Sequence, residues 1–137
     1  MPMKLGDFVR AARAQITEWD AETAHAKWEA KGVVIIDVRE PDEYAKGHLS
    51  DAICIPRGTL EGAADGGYKH RNEQLCHAHD ATILLYCQSG GRSAMAAAVL
   101  QQMGFEHMHS LAGGIECWEG EGFPLVKPLA TTGSSVK

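Results

Sequence analysis

Two hydrophobic periods alternate along this 137-residue chain. Val33 to Val38 is β-branched at every position but Asp37, which predicts a strand covered on both faces. Ala52 to Ile55, Ala81 to Tyr86 and His107 to Leu111 predict three further short strands. Helical spacing fills the intervals. Ala21, Ala24 and Trp28 recur on one face of a helix over 20–30, with Asp20 as its N-cap and Gly32 as its stop. Asp7 to Gln15 predicts an amphipathic helix before it, and Pro41 to Lys46 a short one opened by proline and ended by Gly47. Ser93 to Met103 carries an apolar stripe of Met95, Val99 and Met103 with Gly104 as its cap, and Ile115 to Gly120 gives the last helix. Strands alternating with helices predict an α/β fold, a central and mostly parallel sheet with helices on both faces.

Two segments fall outside this pattern. The polar connection Gly58 to Asp80 has Gly66-Gly67 at its middle and one helical turn expected on each side, and its length marks it as functional or mobile. Thr131 to Lys137 is rich in Thr, Gly and Ser and reads as a disordered tail. The expected division is therefore an N-terminal helical extension over 1–15, one domain over 16–126 and a flexible tail over 127–137.

Charge narrows the partners. A net charge of -5 without a basic stripe argues against nucleic acid or an anionic membrane surface, while a local basic site still suits a small anionic ligand. The first residues lack the long apolar core of a secretory signal, and no stretch approaches the roughly 20 apolar residues that span a bilayer, so a cytoplasmic, soluble protein is expected. Cys54, Cys76, Cys87 and Cys117 show no CxxC spacing, and reduced thiols are the default reading. Cys54, within Ala52-Ile53-Cys54-Ile55, reads as a small core hydrophobe.

The chemistry concentrates in Cys87-Gln88-Ser89-Gly90-Gly91-Arg92-Ser93, between the strand ending at Tyr86 and the helix expected from Ser93. Gly90 and Gly91 let the backbone curl with positive φ, so that successive amides point inward and form an anion-binding nest around the sulfur. The helix start adds its positive end, and Arg92 adds a charge that persists at any working pH. Such a thiol is expected to react as thiolate at neutral pH. Ser89 and Ser93 have two readings each, hydrogen bonding to the sulfur or capping the helix, with capping favoured for Ser93.

Three separated segments carry a family resemblance: Ile36-Asp37-Val38-Arg39-Glu40 through Tyr44 to Gly47-His48-Leu49, the Cys87 to Ser93 loop, and Leu111-Ala112-Gly113-Gly114 with Trp118. From about Ile16 to Leu125 the chain resembles the single-domain rhodanese family of sulfurtransferases. Asp51 departs from the pattern, because glycine is common there in the family. The resemblance implies a rhodanese-like fold and a catalytic cysteine at Cys87. Its thiolate would take the outer sulfur of a small anionic donor such as thiosulfate as a persulfide and pass it to cyanide, a thiol or a sulfur-accepting protein, without metal or organic cofactor. Loop amides from Gln88 to Ser93 would stabilise the persulfide, and Arg92 would bind the donor's anionic end or hold the loop.

Alternatives remain at several positions. A cysteine phosphatase or arsenate reductase also uses a thiolate, a curled loop and an arginine, but with five residues between the two, whereas Cys87 and Arg92 enclose four. A rhodanese-like module that only recruits partners is the non-enzymatic rival. Asp37 and Arg39 face the same way at a strand end and read as structural, pairing with or capping the next turn through Glu40 or Glu43. His48 reads as a backbone hydrogen-bond partner. Arg57, Lys69, His70 and Arg71 either fold over the Cys87 pocket or sit in solvent. Cys76, His77 and His79, like His107 and His109, lack a zinc spacing and read as metal-free. Cys117 either resolves the persulfide or packs under Trp118, the second being the simpler view.

Overall fold

The structure is a computed structural model and describes residues 1–127. The expected tail, from Thr131, lies outside the described residues. Five strands form one wholly parallel sheet: β1 (Thr17–Trp19), β2 (Val33–Asp37), β3 (Ile53–Cys54), β4 (Thr82–Tyr86) and β5 (His107–Leu111), in the order β1-β5-β4-β2-β3. Among the described residues seven α-helices connect and cover them: α1 (Leu5–Arg13), α2 (Ala21–Ala30), α3 (Pro41–Ala45), α4 (Leu60–Ala64), α5 (Glu73–Cys76), α6 (Gly91–Gln102) and α7 (Gly114–Gly120). Among the described residues no helix is long and apolar enough to cross a membrane.

Period-two alternation along β2 and β4 divides the core. Ile36, Val38, Ile83, Leu85 and Cys87 face one layer with Leu60, Leu75, Ala96, Ala97 and Leu100. Ile35, Leu84 and Tyr86 face the other, with Ala24, Ile115 and Trp118. Cys87 thus continues the strand's alternation onto the α6 side.

Local chemistry explains most element ends. The Asp20 side chain accepts from the Thr23 amide at 2.8 Å and starts α2, and Pro41 opens α3. Asp51 adopts φ +70°, the left-handed conformation for which glycine is the easy residue. The 58–80 connection has the helical turns expected on each side of Gly66-Gly67: a 3₁₀ turn at Arg57–Thr59 and α4 before it and α5 after it, with Leu60 and Leu75 fully buried. Two expectations need correction. β1 arises where no strand was expected, as an edge strand paired only with β5. On α6 the most buried side chains belong to Ser93 and to the alanines Ala94, Ala96 and Ala97 with Leu100, while Met95, Val99 and Met103 are half-buried. Alanine lets the helix axis approach the sheet, so the small residues, not the bulky stripe, make the closest face.

Candidate active site

Cys87 directly follows β4 at the carboxyl edge of the sheet, the edge at which open α/β sheets place ligands. Its side chain is buried, and its sulfur receives the Gly90 amide at 3.1 Å and the Ser93 amide at 3.4 Å. Of the two adjacent glycines, only Gly90 takes a positive φ, +105°, and it is the N-cap; α6 begins at Gly91, two residues earlier than expected. Ser93 is therefore inside the first turn and does not cap the helix. Its hydroxyl lies 3.6 Å from the Cys87 sulfur, 3.3 Å from the Gly90 carbonyl and 2.8 Å from the Ser110 hydroxyl. Ser89 is exposed at the loop's tip.

The loop is clamped from outside by α7. Gly113 and Gly114 both take positive φ, after which the Ile115 amide donates to the Cys87 carbonyl at 2.9 Å and the Glu116 amide to that of Gln88 at 3.2 Å. A Cβ at Gly114 would stand 2.5 Å from the Gln88 carbonyl oxygen and 2.6 Å from that of Cys87, so only glycine permits this approach. Trp118, fully buried, fixes the helix by donating to the Pro124 carbonyl at 2.8 Å. Cys117 does not pack under Trp118. It is exposed, and its sulfur occupies the space that a side chain at Gly113 would need.

Two ion pairs flank the loop. Asp37 and Arg39 are both buried and bonded to each other, at 2.7 Å from Nη2 and about equally from Nε to both oxygens, 3.0 and 3.1 Å. Arg39 also donates to the Gly47 carbonyl at 2.7 Å and reaches Gln88 at 3.4 Å. Burial works against its charge, but the Asp37 hydrogen bonds and charge prevail and its pKa is raised. Neither Glu40 nor Glu43 is the partner that Asp37 or Arg39 uses. Instead Glu43 grips Arg92 with both oxygens, at 2.8 and 3.0 Å, and accepts the Glu40 amide at 2.9 Å. The Arg92 hydrogen bonds bring the Glu43 carboxyl down to about 2, with the Glu40 amide and the Arg92 and Arg39 charges adding to them against burial. His48 stacks on Tyr44 at 3.7 Å between ring centres and meets the Tyr44 carbonyl at 3.2 Å, as a structural residue should.

Beside the loop lies a cavity of about 300 Å³ lined by Arg39, Glu43, Lys46, Gln88, Ile115 and Leu125. Arg57 does not line it. That side chain pairs with Glu61 at 2.9 Å and borders a different groove, between α1 and α6. Lys69, His70 and Arg71 are absent from the cavity wall as well; Arg71 pairs with Glu73. Cys76 and His77 do come together with Glu73 on α5, but His79 turns away to stack on Phe105. His109 stacks on Trp19, and burial lowers its pKa.

Sequence reasoning missed four contributors. Glu43 is expected beside Asp37 and Arg39, but its partner is Arg92. Ser110 gave no local signal, since only the β4–β5 pairing brings it to Ser93. From α1, Val9 and an Arg13 guanidinium nitrogen lie 3.4 Å from where Cβ atoms at Gly91 and Gly90 would stand.

Comparison with known proteins agrees with this geometry. A model of the rhodanese-like domain matches residues 20–121. A sulfurtransferase of Allochromatium vinosum is 31% identical over 114 residues, 82% of this chain and 97% of that protein. An uncharacterized protein of Synechocystis is 37% identical over 95 residues, 69% of this chain; the chain spans 48% of that protein's length. A solved structure from Rhodopseudomonas palustris, of unknown function and designated a possible tyrosine phosphatase, is 28% identical with a TM-score of 0.82, covering 92% of this chain and 99% of that one. With the match spanning β2 to β5, the Cys87 loop and the Gly113-Gly114 clamp, the chain belongs to the rhodanese-like domain family.

Proposed function

We propose that this protein is a sulfurtransferase that carries sulfane sulfur as a persulfide on Cys87. The observation that carries the reading is the sulfur's position: it ends β4 and receives two loop amides, from Gly90 and Ser93, which are donors suited to a sulfur anion. In the first step the Cys87 thiolate attacks the outer sulfur of thiosulfate. The new S–S bond forms as the bond to the sulfonate breaks, and sulfite leaves with the bonding pair. In the second, cyanide or a thiolate attacks the outer sulfur of the persulfide and Cys87 is returned as thiolate. Splitting one transfer into two in this way predicts ping-pong kinetics. Glutathione persulfide and mercaptopyruvate satisfy the same nucleophile as donors.

Arg92 takes the second of its two expected roles. Glu43 accepts one N–H from each of its terminal nitrogens, which supports a role in holding the loop to α3. No metal or organic cofactor enters the scheme. The working unit is the domain over 16–126 with α1 packed on its loop glycines, acting in the cytoplasm.

A phosphatase is the second reading, favoured by the designation of the R. palustris structure. Against it stands the ring between Cys87 and Arg92, which encloses four residues where the phosphatase pattern has five. Intact-protein mass spectrometry after incubation with thiosulfate, glutathione persulfide or mercaptopyruvate tests the proposal. Wild type should gain one sulfur atom, removable by cyanide, and Cys87→Ser none. Failure to gain sulfur from any donor, together with turnover of an aryl phosphate, would replace this reading by the phosphatase one.

A further inference from the structure

Behind the Cys87 sulfur lie two fully buried hydroxyls, Ser93 on α6 and Ser110 on β5, 2.8 Å apart. Among the described residues Ser110 Oγ has a single hydrogen-bond partner, Ser93 Oγ. The register partner of Ser110 on β1 is Glu18, whose buried Oε2 makes no hydrogen bond and so does not accept the Ser110 proton. A buried hydroxyl keeps its hydrogen bonded wherever an acceptor is in reach, which orients Ser110 as donor to Ser93.

That orientation constrains Ser93. Its oxygen accepts from Ser110, and its own proton has two acceptors, the Gly90 carbonyl at 3.3 Å and the Cys87 sulfur at 3.6 Å. With Cys87 as thiol, the S–H donates to Ser93 Oγ while the Ser93 hydroxyl donates to Gly90. With Cys87 as thiolate, the Ser93 hydroxyl rotates onto the sulfur. Ser110 continues to donate to Ser93 throughout, so every group is satisfied in both states.

We infer that Ser110 is a positioning residue for the nucleophile: by donating to Ser93 it polarises the Ser93 hydroxyl and commits it to the Cys87 sulfur anion as a third donor beside the Gly90 and Ser93 amides. The inference rests on the reading of Cys87 as the nucleophile. Charged groups around the sulfur are Arg92 on α6, tied to Glu43 of α3, the Asp37–Arg39 pair at the end of β2, and Arg13 of α1 over Gly90. Glu18 on β1, held 3.3 Å from Arg13, and Glu116 on α7, bonded to Gln88, complete them. Substitution at Ser110 removes none of these charges.

The test is the pH–rate curve for alkylation of Cys87 by iodoacetamide in the full chain, resolved by peptide mass spectrometry with the exposed Cys117 as reference in the same sample. Ser110→Ala should move the acid limb of the Cys87 curve up by about one pH unit, a tenfold slower reaction below it, and leave the Cys117 curve in place. Ser110→Thr, which keeps the hydroxyl, should restore the wild-type curve, while the similarly shaped Ser110→Val should not. This pair decides the matter if Ser110→Ala fails to fold. An unchanged acid limb in Ser110→Ala or Ser110→Val, even with a lowered melting temperature, would overturn the inference and leave Ser110 a packing residue. Failure of the wild type to take up sulfur under the thiosulfate assay would instead remove the sulfurtransferase reading, a result the alkylation curves do not depend on.

Discussion

The two arginine–carboxylate pairs beside Cys87 use the same chemical groups in opposite surroundings. Asp37 and Arg39 keep 0% and 4% of their side-chain surface exposed, whereas Glu43 and Arg92 keep 29% and 36%. In the buried pair each charge has already lost its water, so the partner is what makes the other tolerable. Arg39 then extends that commitment to the Gly47 carbonyl and towards Gln88, joining β2, the turn after α3 and the Cys87 loop. In the outer pair both groups retain water, and the bond gains its value from geometry: a two-pronged grip on the residue that ends the Cys87 ring. Equal chemistry thus supplies a frame in one place and a latch in the other.

Breaking the frame should have the largest effect. Arg39→Ala leaves Asp37 buried without its counter-charge, with the backbone amide of residue 39 still donating to it at 2.9 Å. A loss of about 3–5 kcal/mol in unfolding free energy is expected, measured by urea denaturation. A loss below about 1 kcal/mol would show that Asp37 reaches water or another partner when Arg39 is gone. Breaking the latch should cost less stability and more activity. Glu43→Gln is expected to lower stability by at most about 1 kcal/mol, yet to slow sulfur uptake by Cys87 about tenfold, because the loop loses its hold on α3. Equal losses in both variants would abolish the distinction between frame and latch.

Acid offers a finer probe. The folded Glu43 carboxyl lies at about 2, below its ordinary 4.5, so the pair contributes its full stability above the ordinary value and loses it as pH falls towards 2. Between those limits the stability of wild type should fall more steeply than that of Glu43→Gln, which lacks the titrating group. Parallel curves would mean that the latch adds nothing in solution. The smallest effect expected is that of salt. Raising ionic strength to about 1 M should narrow the difference between wild type and Glu43→Gln and leave the Arg39→Ala difference almost intact, since screening acts on the exposed pair.

Much of this arrangement was legible in the sequence, and its limits follow from distance along the chain. The β2 run, the Asp20 cap and the Pro41 start are local effects of side-chain shape and hydrogen bonding, and all three appear where expected. Cys87 and its loop were legible because glycine and arginine at fixed short offsets leave few alternatives. Ser93 was misassigned as a cap because helix starts are set by backbone dihedrals, and Gly90 turns the chain early. Glu43 and Arg92 are 49 residues apart, and nothing near either names the other. β1 was invisible for the same reason: a three-residue strand draws its stability from β5 and not from its own propensity. The alanine face of α6 was misread because burial there depends on how closely a helix can dock and not on side-chain hydrophobicity alone.

The strand order has a kinetic consequence. β1 pairs with β5, so Thr17 joins His109 across most of the sequence, and the carbonyls of Cys87 and Gln88 wait for amides at Ile115 and Glu116. Contacts of such long span close large loops and form slowly compared with helical ones. During vectorial synthesis the thiol therefore emerges well before the segment that clamps its loop. In this chain the outer clamp on the Cys87 loop is thus a product of completed folding, and a partly made copy carries the loop without it.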